Sequence, residues 1–277
     1  MNTHRSLTLI FIVALTLAAC TSPAAGPTSE PTAIAPTTLT IAGSGSAATV
    51  LKYLAGKYGE QHSEITFEFL SGSSSGGGVK GVLDNTLDLG TMSRPPKDSE
   101  LASGIQYLVI STDRIVIVTS ADLSISSLTS QQVKDIFMGT ITNWSEVGGP
   151  NASINVLVRD EDESSTQVLR QELFGDGTFA PGAVVFTSDG DLRDALSKVS
   201  NTIAFLGYSG IRLSDLKLHT LLIDGHDPAA LNSNYPYARP MGIAYLPSNA
   251  DKVQTFLDFL GSPEAQALLA EKGINAP

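Results

Sequence analysis

Apolar and polar positions along the chain follow two periodicities that succeed one another. Residues 47–59 carry apolar side chains at helical spacing, and residues 65–70 alternate apolar and polar side chains as a strand does. A short β-branched run at 38–41 precedes them. Helical spacing at 79–87 and an apolar run at 87–92 continue the series. Segments that alternate in this way predict an α/β fold with a largely parallel sheet.

Residues 1–19 have the pattern of an export signal. His4 and Arg5 give a positive start, and the uncharged apolar run at 7–18 is too short to span a bilayer comfortably. Leu17-Ala18-Ala19-Cys20 resembles the lipobox of bacterial lipoproteins, which implies cleavage before Cys20 and lipid attachment to its thiol. We therefore expect an extracytoplasmic protein anchored to the cell membrane through Cys20. The alternative is an ordinary secretory signal in which this cysteine is incidental.

Residues 20–37 are rich in proline, serine and threonine and too poor in apolar side chains to build a core. We expect this segment to be a tether and the folded body to begin at Thr38. The formal net charge of −11 becomes −12 when the signal is removed, because the signal contains one cation, Arg5. So negative a charge argues against nucleic acid as a partner. A small anion remains compatible, since nearby dipoles and cations set the field inside a closed cleft.

Three turns are rich in glycine or in hydroxyl side chains, at 43–46, 71–78 and 164–166. The first two follow a predicted strand and open a predicted helix, where unpaired N–H groups and the helix dipole attract an anion. Glycine lets the backbone approach a ligand, and hydroxyl groups can donate to its oxygens. Arg94 and Arg159 lie just beside predicted strand ends. The pattern favours a small-oxyanion site over ordinary helix caps and loops.

The order of several short motifs resembles the phosphate-binding proteins of bacterial phosphate importers over residues 38–277. The motifs are Ile41-Ala42-Gly43-Ser44-Gly45-Ser46, Ser73-Ser74-Ser75-Gly76-Gly77-Gly78-Val79-Lys80, Leu87-Asp88-Leu89-Gly90 with Met92-Ser93-Arg94, Ile141-Thr142-Asn143-Trp144, Arg159 with Ser164-Ser165-Thr166, Tyr235-Pro236 with Arg239-Pro240, and Ser262-Pro263 with Gln266 and Gly273. The resemblance implies a two-lobed periplasmic-binding-protein type II fold with a double-crossover hinge. It places lobe 1 at 38–117 plus 239–277 and lobe 2 at 118–238.

Proteins of this family close their lobes on phosphate and deliver it to the permease subunits of an ABC importer. The resemblance therefore implies a monomeric receptor of this kind; sulfate, molybdate and tungstate are the alternative ligands. Carried over by position, the ligand-binding residues are Ser46, Ala47, Ser75, Ser93, Arg94, Arg159, Ser164, Ser165 and Thr166. Ala47 would donate through its backbone N–H only, and Arg159 would neutralise the charge of the ligand.

This chain departs from the family pattern at three places. Some members carry an aspartate at the position of Ser93, and that carboxylate accepts the proton of hydrogen phosphate. A serine hydroxyl can donate or accept, so the change implies that dibasic phosphate binds at least as well as monobasic phosphate. The alternative is that Asp88, or an acid of the 160–163 run, supplies the acceptor. Ala47 stands where members of the family usually have a threonine in the first turn. Ser165 replaces a glycine, with one extra residue after Arg159, which leaves the register of that loop open.

The sequence offers one enzymatic alternative, because Gly72-Ser73-Ser74-Ser75-Gly76 matches the nucleophile-elbow pattern of serine hydrolases. The match falls within a Ser/Gly-rich turn, where composition alone produces it, and His219 and His226 have no distinctive neighbours. We therefore expect no enzyme activity. We expect the acidic run at 160–163 to be a solvated face, since it lacks the glycine and spacing of a calcium loop. No metal or cofactor is expected.

Overall fold

The protein is described by a computed structural model that covers residues 36–214, 216, 218–231 and 235–277. The predicted signal, the lipidation site at Cys20 and most of the predicted tether lie outside the described residues. The first strand begins at Thr37, one residue before the predicted start of the folded body. Within the described ranges, no helix is both long enough and apolar enough to cross a membrane.

Strands and helices alternate in the first part of the chain, as the hydrophobic pattern predicts. They are β1 (Thr37–Gly43), α1 (Gly45–Gly59), β2 (Ile65–Phe69), α2 (Ser75–Leu83), β3 (Leu89–Met92), α3 (Asp98–Ala102) and β4 (Gln106–Thr119). The helix predicted at 79–87 is α2, and it begins and ends four residues earlier. Its early start follows from Ser74, whose hydroxyl accepts the Gly77 N–H as an N-cap. Past its end, Asn85 takes a left-handed conformation with φ 55°.

The second part of the chain continues with shorter elements. They are β5 (Ser127–Leu128), α4 (Ser130–Met138), a 3-10 turn (Trp144–Val147), β6 (Asn155–Arg159), α5 (Ser164–Leu169), a π-helical turn (Arg170–Phe174), β7 (Val184–Phe186), α6 (Asp189–Lys198), β8 (Thr202–Gly207), α7 (Tyr208–Arg212), β9 (His219–Thr220), β10 (Leu222–Ile223), β11 (Ala238–Tyr245), a 3-10 turn (Pro247–Asn249), α8 (Ala250–Leu260) and α9 (Pro263–Glu271). The turn at 164–166 also opens a helix, which the sequence predicts only for the turns at 43–46 and 71–78.

The main sheet is mixed, with the strand order β2-β1-β3-β11-β4-β8-β6-β7 and with β9 also paired to β4. At one end β1 pairs in parallel with β2 and β3, and at the other β6 pairs in parallel with β7 and β8. In the middle, β11 is antiparallel to β3 and β4, and β4 is antiparallel to β8. The prediction of a largely parallel sheet therefore holds only toward the two ends. It fails in the middle because β4 and β11 cross between them in opposite directions.

The buried apolar side chains form separate clusters at the two ends of the sheet. One cluster draws its members from Ile115 to Tyr237 and contains the fully buried Trp144, Phe137 and Phe205. At the other end, one cluster joins β1 and α1 to α8 and α9, and a smaller one lies beneath α2. The fold is therefore two-lobed, and β4 and β11 connect the lobes.

We expect Trp144→Ala to destabilise the protein by about 3–5 kcal/mol, because a large aromatic residue leaves a cavity when it is removed from a core. Trp144 is 0% exposed, and its indole N–H donates to the Asn201 carbonyl at 3.1 Å. The measurement is urea denaturation followed by circular dichroism. Leu101→Ala on α3 is the control; this leucine is 46% exposed, so a change within about 0.5 kcal/mol is expected. A loss below about 1 kcal/mol for Trp144→Ala would contradict its role in the core.

Candidate functional site

The two crossing strands carry a buried ion pair at the centre of the molecule. Arg239 on β11 lies in register with Asp113 on β4, and its Nη2 is 3.5 Å from the Asp113 Oδ2. Asp113 is 0% exposed and Arg239 is 3% exposed. The Asp113 Oδ1 also accepts the Ser209 N–H at 2.9 Å. Gly207 makes room for this carboxylate, because a side chain there would collide with the Asp113 Oδ2. Both charges are therefore held in place by the strands that join the lobes.

Arg239 also receives contacts from both lobes. Its Nη2 donates to the Ser46 hydroxyl at 3.1 Å, and its Nη1 donates to the Ser164 hydroxyl. Ser46 belongs to the first turn of α1, whereas Ser164 is the first residue of α5 in the other lobe. Among the described residues, the Nε of Arg239 has no hydrogen-bond partner. Two of the predicted ligand residues therefore contact one guanidinium group, whose Nε–H remains available as a hydrogen-bond donor.

The turn before α1 is shaped so that the helix presents its backbone N–H groups. Gly43 ends β1 with φ 136°, and a side chain there would collide with the backbone oxygen of Thr91. Ser44 does not cap α1 with its side chain, because its hydroxyl lies 2.6 Å from the Ser93 Oγ instead. A helix of 15 residues without such a cap offers the N–H groups of its first turn and the positive end of its dipole. Ala47, with its backbone N–H, belongs to this turn.

The acidic run is not uniformly a solvated face, which corrects the expectation from sequence. Glu161 and Asp162 are exposed, but the side chain of Glu163 is only 15% exposed. Its Oε1 lies 3.3 Å from the Arg239 Nη1, and its Oε2 accepts the Ser165 N–H at 2.7 Å and the Ser165 hydroxyl. Burial by itself would raise the pKa of Glu163. The charge of Arg239, the Ser165 hydroxyl and the charge of Arg159 overcome that effect and lower the pKa to about 2.

Arg159 lies at the end of β6, close enough to Glu163 to lower its pKa. Its guanidinium donates through Nε and Nη2 to the carbonyls of Phe186 and Thr187, each at 3.0 Å. Its Nη1 is 3.6 Å from the Asp189 carboxylate. The Thr166 hydroxyl donates to the Arg159 carbonyl at 3.3 Å. Arg159 thus joins β6 to the segment that leads into α6, and its charge reaches the site over a longer distance than that of Arg239.

The remaining predicted residues lie around the N terminus of α2. Ser93 is fully buried; its hydroxyl contacts Ser44 and donates to the Met241 Sδ at 3.2 Å, and its N–H donates to the Ser75 Oγ at 3.1 Å. Arg94 forms two hydrogen bonds, of 2.8 and 2.7 Å, with the Glu100 carboxylate. Across the described residues, no hydrogen bond joins Ser75, Ser93 or Arg94 to Arg239. These three therefore form a second group, next to the first.

The sequence offers Asp88, or an acid of the 160–163 run, as a proton acceptor, and Asp88 and Glu163 have different surroundings. Asp88 accepts from the Thr40 N–H at 2.8 Å and from the Lys252 ammonium at 2.7 Å, and so ties α8 to β1. Glu163, in contrast, contacts Arg239. Of these two acids, Glu163 is therefore the one placed at the candidate anion site.

Arg239 and Asp113 are candidate-site residues that the sequence prediction does not include, and Glu163 enters it only within the 160–163 run offered as an alternative acceptor. In the sequence, Arg239 stands out only as part of the motif of Tyr235-Pro236 with Arg239-Pro240. Asp113 lies between two apolar runs, 108–110 and 115–118, and a charge buried between such runs indicates a partner. That signal was available for Asp113, but its partner is 126 residues away and cannot be identified from periodicity.

The hydroxyl of Ser74, the serine of the hydrolase-like motif, caps α2 by accepting the Gly77 N–H at 3.2 Å. His219 is hydrogen-bonded through Nδ1 to the Leu123 carbonyl at 2.7 Å, on the other lobe. In the part of the chain that the structure describes, no group of three or more His, Cys, Asp or Glu residues is placed to hold a metal ion.

A two-lobed fold with an arginine between helix starts is the arrangement of an anion receptor, and the comparisons agree. The chain belongs to the family described as the PBP superfamily domain, whose sequence model matches residues 27–264. It is similar to the phosphate-binding protein PstS of Borreliella burgdorferi, with 26% identity over 249 residues, 85% of this chain and 88% of that protein. The predicted type of fold is thereby confirmed.

Two solved structures extend this similarity. One is a putative phosphate ABC transporter substrate-binding protein with bound phosphate from Clostridium perfringens, with TM-score 0.75, 24% identity and coverage of 87% of this chain and 99% of that one. The other is an ABC-type phosphate transport receptor from Vibrio cholerae, with TM-score 0.64, 26% identity and coverage of 86% and 100%. The first likeness concerns the fold alone, and both span nearly the whole length of the related chains.

The depressed pKa of Glu163 predicts a defined dependence of stability on pH. A carboxyl group whose pKa falls from 4.5 to about 2 on folding stabilises the protein above its unfolded pKa. That contribution, on the order of 3 kcal/mol, is lost as the pH falls through the folded pKa. Urea unfolding of the wild type and of Glu163→Gln should give a difference that is constant from about pH 6 to about pH 8 and shrinks between about pH 4.5 and about pH 2. A difference that stays unchanged over the acid range would contradict the charged contact with Arg239.

Proposed function

We propose that the protein captures inorganic phosphate outside the cytoplasm and delivers it to the permease subunits of an ABC importer. The observation that carries this proposal is the meeting of Ser46 and Ser164, one from each lobe, on the buried guanidinium of Arg239. Hydroxyl groups, an arginine and helix N–H groups are the donors that a tetrahedral oxyanion needs. The three similar proteins described above are each named for phosphate binding or phosphate transport, which favours phosphate over sulfate, molybdate and tungstate.

The two lobes of this receptor are proposed to comprise 38–117 with 239–277, and 118–238. The division of the core supports these limits. On β4, the boundary between the two core clusters lies between Ile110 and Ile115, a few residues before the proposed limit. Where the chain enters β11, the boundary lies between Tyr237 and Met241. Rotation about β4 and β11 would separate Ser46 from Ser164 while Arg239 keeps its contact with Asp113. Closure would then complete the hydrogen-bond shell around the anion.

Within the closed site, Arg239 would supply the main positive charge, with Ser46 and the Ala47 N–H donating from the first lobe. Donors from the second lobe would be Ser164, Ser165 and Thr166. The set proposed from sequence also includes Ser75, Ser93, Arg94 and Arg159. Ser75, Ser93 and Arg94 support the start of α2 beside α1, and Arg159 contributes its charge over a longer distance.

Attachment to the membrane through a lipid on Cys20 is part of the same proposal. It is supported by the apolar run that ends in Leu17-Ala18-Ala19-Cys20 and by the proline-rich segment between Cys20 and β1. A receptor held near the membrane surface meets its permease at a high effective concentration, which suits this role.

We expect Arg239→Lys to weaken phosphate binding by roughly tenfold to a hundredfold, because an ammonium group cannot reproduce the fork that contacts both lobes at once. Isothermal titration with phosphate, sulfate, molybdate and tungstate measures both the affinity and the order of preference. Arg212→Lys, the same change at an exposed arginine, is the control and should stay within about twofold of the wild type. Wild-type affinity in a folded Arg239→Lys variant would remove Arg239 from the site.

We also expect no hydrolysis of p-nitrophenyl esters or p-nitrophenyl phosphate. The hydroxyl of Ser74 serves as a helix cap, and a serine needs an adjacent base to act as a nucleophile. Turnover is measured by p-nitrophenolate release in the wild type and in Ser74→Ala. Steady turnover that disappears in Ser74→Ala would overturn this expectation.

A further inference from the structure

We propose that the Glu163 carboxylate is an internal anion that occupies the donors of the phosphate site, leaves them when the ligand binds, and thereby limits the affinity of the site. This inference rests on the proposed function and concerns what limits the affinity for phosphate. Its starting point is the set of groups that Glu163 contacts: the Ser165 N–H at 2.7 Å, the Ser165 hydroxyl, and the Arg239 Nη1 at 3.3 Å. All three are donors that an oxyanion would use.

The first argument is one of charge. Arg239 carries one positive charge and already faces two carboxylates, Asp113 and Glu163. The cluster of these three residues therefore has a net charge of −1 before any ligand enters. Arg159 and Arg193 share one carboxylate, that of Asp189, so including these three residues brings the net charge to zero and leaves no excess positive charge for a ligand. Adding phosphate while Glu163 remains in place would bring further negative charge into a buried cluster, where charges are screened far less than in water.

The second argument is one of hydrogen bonding. An ionised carboxylate and an unprotonated oxygen of phosphate are both acceptors only, so the two cannot hydrogen-bond to each other and compete for the same donor. The Ser165 N–H is a single donor and is taken by the Glu163 Oε2. A ligand oxygen at this donor therefore takes the place of the carboxylate. Asp113 differs from Glu163 in this respect, because it lies on the hinge strand, is 0% exposed and is tied to the Ser209 N–H. Of the two carboxylates, Glu163 is the one that can be displaced.

The position of Glu163 in the chain makes this displacement possible. It is the last residue of the turn between β6 and α5, and the preceding Glu161 and Asp162 are exposed. Its side chain retains 15% exposure, so rotation toward solvent does not require passage through the core. Rotation would leave Arg239 paired with Asp113 and with the ligand. Part of the binding free energy is then used to release Glu163, which lowers the affinity relative to a site without this carboxylate.

The experiment compares the wild type with Glu163→Gln and Asp162→Asn by isothermal titration with inorganic phosphate and with sulfate. Glu163→Gln keeps the size of the side chain and an oxygen for the Ser165 N–H but removes the charge. We expect it to bind phosphate and sulfate at least about tenfold more tightly than the wild type. Asp162→Asn removes one charge from the same turn at an exposed position and should stay within about twofold. Thermal unfolding establishes that each variant is folded.

Should Glu163→Gln not fold, Glu163→Ser supplies a small N-cap in its place and the same gain is expected. Unchanged or weaker phosphate binding in a folded Glu163→Gln or Glu163→Ser variant would overturn the inference. So would weaker phosphate binding combined with stronger sulfate binding, because the carboxylate would then remain in the complex and accept the proton of the ligand. A failure of the proposed function is distinguishable. In that case neither the wild type nor any variant binds phosphate, whereas tighter sulfate binding in Glu163→Gln than in the wild type would still support the displacement.

Discussion

The buried pair of Asp113 and Arg239 is the interaction on which the rest of the site depends. The two residues lie opposite each other on β4 and β11, the strands through which the lobes are joined. Removing one member of a buried ion pair leaves an uncompensated charge, so the pair holds its geometry strongly. The guanidinium is thereby fixed between the lobes, at a point that residues of either lobe can reach. In the proposed receptor, a hinge built in this way would keep the cation of the site in place while the lobes move around it.

The location of this cation also reconciles an acidic protein with an anionic ligand. The chain carries a formal charge of −11, and many of its acids are distributed over the surface, where water and salt screen them. Inside the molecule, the field at the site depends on Arg239, Arg159 and the helix start at Ser46, together with the carboxylates of Asp113 and Glu163. Screening is weak there, and a few well-placed charges outweigh the total. Net charge therefore says little about which ion a closed cleft binds.

The elements of the fold could be predicted from sequence to a large extent, because each depends on local periodicity. The helix at 45–59 and the strand at 65–69 follow directly from the spacing of their apolar residues, and the glycine-rich turns before α1 and α2 lie where they were expected. The central part of the site could not be obtained in the same way. Arg239 and Asp113 are 126 residues apart in the chain and are joined only by the register of two crossing strands. Glu163 was misjudged because the three acids before it make the run look like an ordinary solvated surface.

Glu163 illustrates why a site of this kind need not be optimised for stability and affinity together. Its contacts with Ser165 and Arg239 stabilise the folded chain, since they favour the ionised form of this carboxyl group more strongly in the folded than in the unfolded chain. Those same contacts use donors that an oxyanion requires. Stronger contacts of Glu163 with Ser165 and Arg239 therefore imply weaker binding of the oxyanion. The free energy of unfolding and the free energy of binding are coupled through this single side chain. Such coupling suits a protein that must release its ligand as well as capture it. In the proposed cycle, a carboxylate that returns to Ser165 and Arg239 gives these donors an alternative acceptor as the lobes separate, so the departing anion does not leave the Ser165 N–H and the Arg239 Nη1 without a partner.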